Sequence, residues 1–309
     1  MHNRKLRAGN RFYVIYRKIR FLSKRGSLFT SSKKDNSGRI RIPGRDFNVI
    51  SFNSLLLFLT AYFIIYCLNL FVTGYSAIIF NIPVVVYYHD VDYLIRGIDW
   101  TPDSVSGVFS SGPIAMFVLT LFMLILYKTV ETEKGILKLL LIWMIFHAFT
   151  RVFGEILIGA ILNKGFGFVI LYLFLMDTGK VILTIFGFVA MFSIGLILTR
   201  PALYTANIYF NDLHSSYRSK FIFRQFILPF IIGNILIFLI KLPQYNYFDI
   251  GVNASMVLIL IPVMVRGLGM ADFYFDEDPR MVRRNYTLLL ATMLFVILFR
   301  VVLGIGVRL

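Results

Sequence analysis

The sequence predicts an all-α, polytopic integral membrane protein: a bundle of about seven transmembrane helices behind a basic N-terminal tail. Three observations predict it. Hydrophobic residues make up 58% of the 309 residues and mean hydropathy is +0.76, whereas soluble domains run at about 45–50% apolar. Apolar runs of about 20 residues recur between turn and cap residues, the length that a hydrocarbon core of about 30 Å demands of a helix. The basic residues are segregated along the chain. A β-barrel would need segments of about ten residues alternating apolar and polar, and these runs are apolar on every side.

The tail comes first. Residues 1–47 hold 14 Lys and Arg against Asp35 and Asp46, so they carry +12 of the net +16. The stretch is too long and too charged for a cleavable signal peptide. Arg11, Arg17, Lys18, Arg20, Lys24 and Arg25 alternate with Phe12, Tyr13, Tyr16 and Phe21. That pattern suits an interfacial segment on anionic lipid headgroups, and ranks nucleic acid behind the membrane surface as a partner. The chain therefore divides into a basic cytoplasmic tail, 1–47, partly flexible or interfacial, and a transmembrane domain, 48–309.

The spans follow in order. The first covers about 51–72. An outer segment, 74–109, opens with an apolar run too short to cross. It is expected to lie on the interface with Tyr87, Tyr88 and Trp100 at headgroup level. The second span covers 110–127, with Pro113 in its first turn, where a missing N–H costs nothing. The third covers 136–162. Residues 166–199 are too long for one crossing and divide at Asp177–Lys180 into a short bent or re-entrant piece and a fourth span. The fifth, sixth and seventh spans cover about 221–240, 250–265 and 286–307.

Orientation follows from Lys and Arg, which concentrate in cytoplasmic loops. With the N-terminus inside, the inner segments hold 25 of them and the outer segments 4, namely Arg96, Lys164, Lys241 and Arg308. This predicts a bacterial inner (plasma) membrane protein with a cytoplasmic N-terminus and the end of the seventh span outside.

The third span carries the chemistry. His147, Thr150, Arg151 and Glu155 form one polar stripe on an otherwise apolar helix. Ionisable residues inside a membrane face a bundle interior or a water-filled cavity and pair there. Arg151 and Glu155 are spaced to pair at i,i+4. Asp177, Lys180 and Arg300 are the candidate partners on other helices, Arg300 foremost for Glu155 or Asp177. His89, Asp90 and Asp92 form an outer acidic turn that is at most a weak metal candidate.

Several chemistries are disfavoured. A zinc protease needs His-Glu-x-x-His on one helix face. Here His147 is followed by Ala148 and Arg151 at the Glu and second His positions, and a guanidinium does not bind zinc. Cys67 is the lone cysteine, which excludes an internal disulfide and a cysteine metal cluster. No Gly-rich loop leads into Lys-Ser/Thr, so nothing points to ATP or to another cofactor.

Three functional readings stay open. The first is a non-enzymatic scaffold or accessory subunit that meets other membrane subunits. The second is a small transporter or channel component using the stripe. The third is an intramembrane or lipid-modifying enzyme. A dry, fully paired stripe beside an apolar groove favours the first, and a stripe open to water the second. An outer-leaflet cavity holding His89, Asp90 or Asp92 beside Glu155 favours the third.

Overall fold

The computed structural model describes residues 44–173, 176–275 and 282–309. The tail arginines and lysines at 11–25 lie outside them. Seven helices are long and apolar enough to cross a membrane: Asp46–Ile79, Pro102–Val130, Leu137–Leu162, Asp177–Ile208, Ser215–Lys241, Tyr247–Leu268 and Tyr286–Ile305. The chain is an all-α polytopic membrane protein with little sheet.

Burial sorts the spans. The third is 72% buried across its most apolar window, against 22% for the fourth and 17% for the seventh. The third span is therefore the axis of the bundle, and the fourth and seventh present Ile, Phe and Val outward. The first span packs on the second, third, fifth and seventh. A buried polar relay ties four of the spans together. Trp143 Nε1 donates to Ser54 Oγ at 2.9 Å, Ser54 donates to the Gln225 carbonyl at 2.5 Å, and Gln225 Nε2 donates to Thr205 Oγ1 at 3.1 Å.

Several span ends differ from the sequence expectation. The second helix starts at Pro102, not near residue 110. Thr101 and Ser104 form a capping box, each side chain accepting from the other's backbone N–H, with Pro102 at the first helical position. This outweighs Pro113, which falls inside the helix; membrane helices tolerate such a proline because neighbours re-satisfy the backbone. The first span runs on through Gly74 to Ile79. Beyond it, where an interfacial segment was expected, the chain forms an antiparallel hairpin, β1 (Val84–Val86) against β2 (Val91–Tyr93). β5 (Val307–Arg308), after the seventh span, pairs with the other edge of β1. All three strands thus lie at one end of the bundle.

The short piece before the fourth span is the helix Phe166–Tyr172, which folds back on the end of the third. The two approach so closely that a Cβ on Gly167 would lie 2.0 Å from the Gly159 carbonyl oxygen.

At the opposite end, β3 (Asp212–Leu213) pairs with β4 (Phe273–Tyr274). His214 bridges the two, with Nδ1 at 2.9 Å from Asp272 Oδ2 and Nε2 at 3.2 Å from Asp212 Oδ2. The fully buried Arg218 donates to the other Asp272 oxygen at 2.6 Å. The hydrogen bond to Asp272 raises the His214 pKa, and the same bond lowers that of Asp272. A raised histidine stabilises fully below its ordinary value of 6.5 and loses that contribution as pH climbs through the raised value. A depressed carboxylate stabilises above 3.8 and fails as pH falls through its lowered value. The clamp is therefore expected to hold best between those two pH values. After correction for intrinsic rates, amide exchange at Leu213 and at Phe275, whose N–H donates to the Asn211 carbonyl at 2.9 Å, should be slower at mildly acidic than at alkaline pH. His214→Gln should erase the difference; a difference that survives the substitution would show that the clamp does not depend on His214.

Candidate functional site: a polar chamber at one end of the bundle

The third span is not a continuous α-helix. Its ladder changes to π-type hydrogen bonds over Thr150–Gly154, between α-helical Leu137–Phe149 and Glu155–Leu162. Such single π turns insert a residue and recur at functional sites. Here the turn falls on Arg151 and divides the expected stripe in two.

The half that carries His147 and Thr150 is buried. His147 is buried against Phe58 and Tyr62, with ring centroids at 4.6 and 5.5 Å, and its Nε2 has no hydrogen-bond partner among the described residues. Thr150 turns back to donate to the Phe146 carbonyl at 2.8 Å. Phe58, Trp143, Phe146 and Phe226 fill the interior at this level and are fully buried.

The half that carries Arg151 and Glu155 belongs to an ion-pair network whose centre is Asp249, a residue that the sequence reading left in the loop before the sixth span. Asp249 Oδ1 accepts from Arg151 Nη2, and Oδ2 accepts from Lys241 Nζ at 2.6 Å. Tyr62 Oη donates to Oδ2 at 3.1 Å and Asn253 Nδ2 at 3.3 Å. Arg151 also donates to Asn253 Oδ1 at 3.1 Å. Lys241 Nζ stands 3.4 Å above the Tyr66 ring. All of these groups are buried.

The anticipated Arg151–Glu155 pair exists as the weaker arm, at 3.5 Å. Glu155 Oε1 accepts from Asn69 Nδ2 at 3.0 Å. Arg300 does not serve either acid. It donates to the Leu242 carbonyl at 2.6 Å and lies over the Tyr88 ring at 3.7 Å, tying the seventh span to the end of the fifth. Asp177 and Lys180 pair with each other at 3.7 Å, with Asp177 fully exposed, in a groove against Ala160 and Ile161 separate from Glu155. Lys241, counted by sequence as an outer loop residue, is a buried partner.

Asp249 and Lys241 had a signal. Asn246 caps the sixth helix by accepting from the Phe248 N–H at 3.0 Å, so the helix begins at Tyr247 and Asp249 lies in its first turn. Asn three residues before an acid marks a helix start, and an acid there complements the helix dipole. Reading the span from the apolar run at Ile250 hid it.

Above this network lies a chamber of about 760 Å³. Tyr66, Asn69 and Thr73 line it from the first span, Arg151 and Glu155 from the third, and Asp249 from the sixth. The hairpin contributes His89 and Asp90 from its turn and Asp92 from β2, and the short helix contributes Phe168 and Tyr172. Asn246 donates to Asp90 Oδ2 at 2.7 Å across the rim. Desolvation raises the Asp90 carboxyl above the usual carboxylate range. Among the described residues, no group of three or more His, Cys, Asp or Glu is placed to hold a metal ion, so His89, Asp90 and Asp92 are not assembled as one.

Comparison with known protein families, curated proteins and solved structures finds no match to this chain. The chamber's chemistry is therefore the guide to function.

Proposed function

We propose that this protein binds a small polar or amphipathic molecule in a one-ended chamber at the outer face of a bacterial inner membrane, acting on or sensing a molecule held at the outer leaflet. The observation that carries this reading is the convergence of His89, Asp90 and Asp92 with Glu155 on one cavity, drawn from the hairpin and the third span. A scaffold alone needs no such chamber. At about 760 Å³ it falls within the range of small-molecule sites. A pore is less well supported, because the lining stops at Arg151 and Asp249 and the next layer inward is packed aromatic rings. The outward orientation rests on the 25-to-4 division of Lys and Arg.

Thiol labelling in a Cys67→Ala background tests both parts. With a membrane-impermeant reagent on intact cells, Cys at Ile98, 83% exposed near the rim, and Cys at Thr73, inside the chamber, should react. Cys at Ser216, exposed at the opposite end, and Cys at His147, below the floor, should not. Native mass spectrometry of the purified protein should then show a retained small-molecule adduct that the chamber-filling Thr73→Trp loses. Labelling of Ser216 but not Ile98 would invert the orientation. Labelling of the His147 position would turn the chamber into a pore. Equal adduct retention in Thr73→Trp would sink the binding reading.

A further inference from the structure

The two ends of the three-stranded sheet beside the chamber differ. Strand order is β2-β1-β5. β1 is paired on both sides, by β2 and by β5. β5 takes no part in the cavity, whereas β2 borders it along its whole length. Every residue from His89 to Leu94 lines the chamber. Successive side chains of a strand point to opposite faces. A cavity that touches all of them therefore lies against the edge of the strand, not against one face of the sheet.

The register identifies the backbone groups that look out from that edge. Opposed residues in an antiparallel pair alternate between those that exchange hydrogen bonds and those that do not. The Tyr87 N–H donates to the Asp90 carbonyl and the Leu94 N–H to the Pro83 carbonyl, each at 2.9 Å. Val85 and Asp92, midway between, are thus a bonded pair. Val84 faces the other way, its carbonyl accepting from the Leu309 N–H at 3.2 Å on the β5 side. Val91 and Tyr93 accordingly turn their N–H and C=O groups away from β1. The Val91 N–H is held by the Asp90 side chain at 2.9 Å. The Tyr93 N–H and the carbonyls of Val91 and Tyr93 have no hydrogen-bond partner among the described residues. Backbone groups withdrawn from bulk water are almost always paired, and Val91 is only 6% exposed.

The wall supplies the second half of the fit. The Tyr93 ring packs on Trp100 and Phe109, with centroids 5.3 and 5.5 Å away, and Phe168 continues the surface at 5.1 Å from Phe109. All four line the cavity. A strand added beside β2 would set every second side chain on the face that carries Tyr93, against these rings. Cross-strand contacts of that kind stabilise a sheet.

We propose that the chamber takes a short peptide in extended conformation, added to the free edge of β2 as a fourth strand. The proposal rests on the binding reading above and names its ligand class. The edge matches an alternating series of N–H and C=O groups at the strand rise of about 3.3 Å per residue, and a peptide backbone carries that series. Strand addition draws affinity from the main chain of the ligand and specificity from its alternate side chains.

The test uses the full-length protein purified in a non-ionic detergent and the capped peptide acetyl-Lys-Phe-Lys-Phe-amide, whose Phe side chains share one face when extended. Calorimetric titration compares it with the same peptide methylated at every backbone nitrogen. Methylation removes the donors and makes the peptide more apolar, so simple partition into an oily cavity would strengthen. The expected result is saturable binding of the parent peptide and none of the methylated one. In the protein, Tyr93→Pro removes the outward N–H and spares the bonds to β1, at an edge position where proline is tolerated. Tyr93→Ala loses the same ring and keeps the N–H. Affinity for the parent peptide should be about tenfold lower in Tyr93→Pro than in Tyr93→Ala, the scale of one hydrogen bond. Equal affinities in the two variants, or a methylated peptide that binds as tightly as the parent, overturn strand addition. So does a dimer in light scattering that Tyr93→Pro dissociates, since the edge then pairs with a second copy of the chain. No peptide binding, with adduct retention still lost in Thr73→Trp, overturns the peptide assignment and leaves a binding chamber. No peptide binding, with retention unchanged in Thr73→Trp, overturns both.

Discussion

Asp249→Asn is expected to be the most damaging single substitution in the bundle, lowering stability in detergent by about 3–5 kcal/mol, the usual result of removing one member of a buried ion pair. The size follows from what the carboxylate holds. It is the shared acceptor of Arg151 and Lys241, both buried, and the change leaves two cations side by side. Arg151→Gln should cost less, because Lys241 continues to neutralise Asp249. Glu155→Gln should cost least, since a glutamine oxygen can still accept from Asn69 and the Arg151 contact is the long one. Adding Lys241→Met to Asp249→Asn should restore part of the loss. Thermal unfolding of the four variants gives the order directly. If Glu155→Gln proves worse than Asp249→Asn, the network is centred on the third span after all.

Gly167→Ala should be the next most damaging, at about 1–3 kcal/mol or more for an overpacked contact. The added methyl would stand 2.0 Å from the Gly159 carbonyl oxygen, and backbone cannot swing aside as a side-chain tip can. The helix Phe166–Tyr172 must lift away, taking Phe168 and Tyr172 from the chamber wall. Lower thermal stability should therefore come with weaker retention of whatever the chamber holds. Gly304→Ala is the control. It lies in the seventh helix with nothing within 4 Å of an added Cβ, and alanine in a helix is favoured over glycine by roughly 0.5–1 kcal/mol. A Gly167→Ala protein as stable as the parent would mean that the two segments are not in contact.

The spans were legible because a membrane helix announces itself by length and hydropathy, and both survive errors of several residues at each end. The site was only partly legible for the same reason. Arg151, Glu155 and His147 stood out as charge and polarity within an apolar run. Asp249 and Lys241 stand at the edges of theirs, where a hydropathy reading stops. The π turn at Thr150–Gly154 leaves no mark in residue type, yet it separates His147 from Arg151 more sharply than four-residue spacing implies. The hairpin was read as an interfacial segment because Val84–Val86 is apolar. Its pairing with β5 depends on residues that follow the last span, a contact that no local window contains.

That pairing bears on how the molecule is made. β1 lies between the first and second spans, and its outer edge is closed by a strand that emerges only after the seventh has been threaded. Contacts so distant along the chain form late, and until this one forms β1 carries an unpaired edge beside the chamber mouth. Leu309 then settles against Gly74, at the distance where an added methyl would touch it. The three-stranded sheet beside the site therefore closes only once Val307 and Arg308, which follow the seventh span, reach β1.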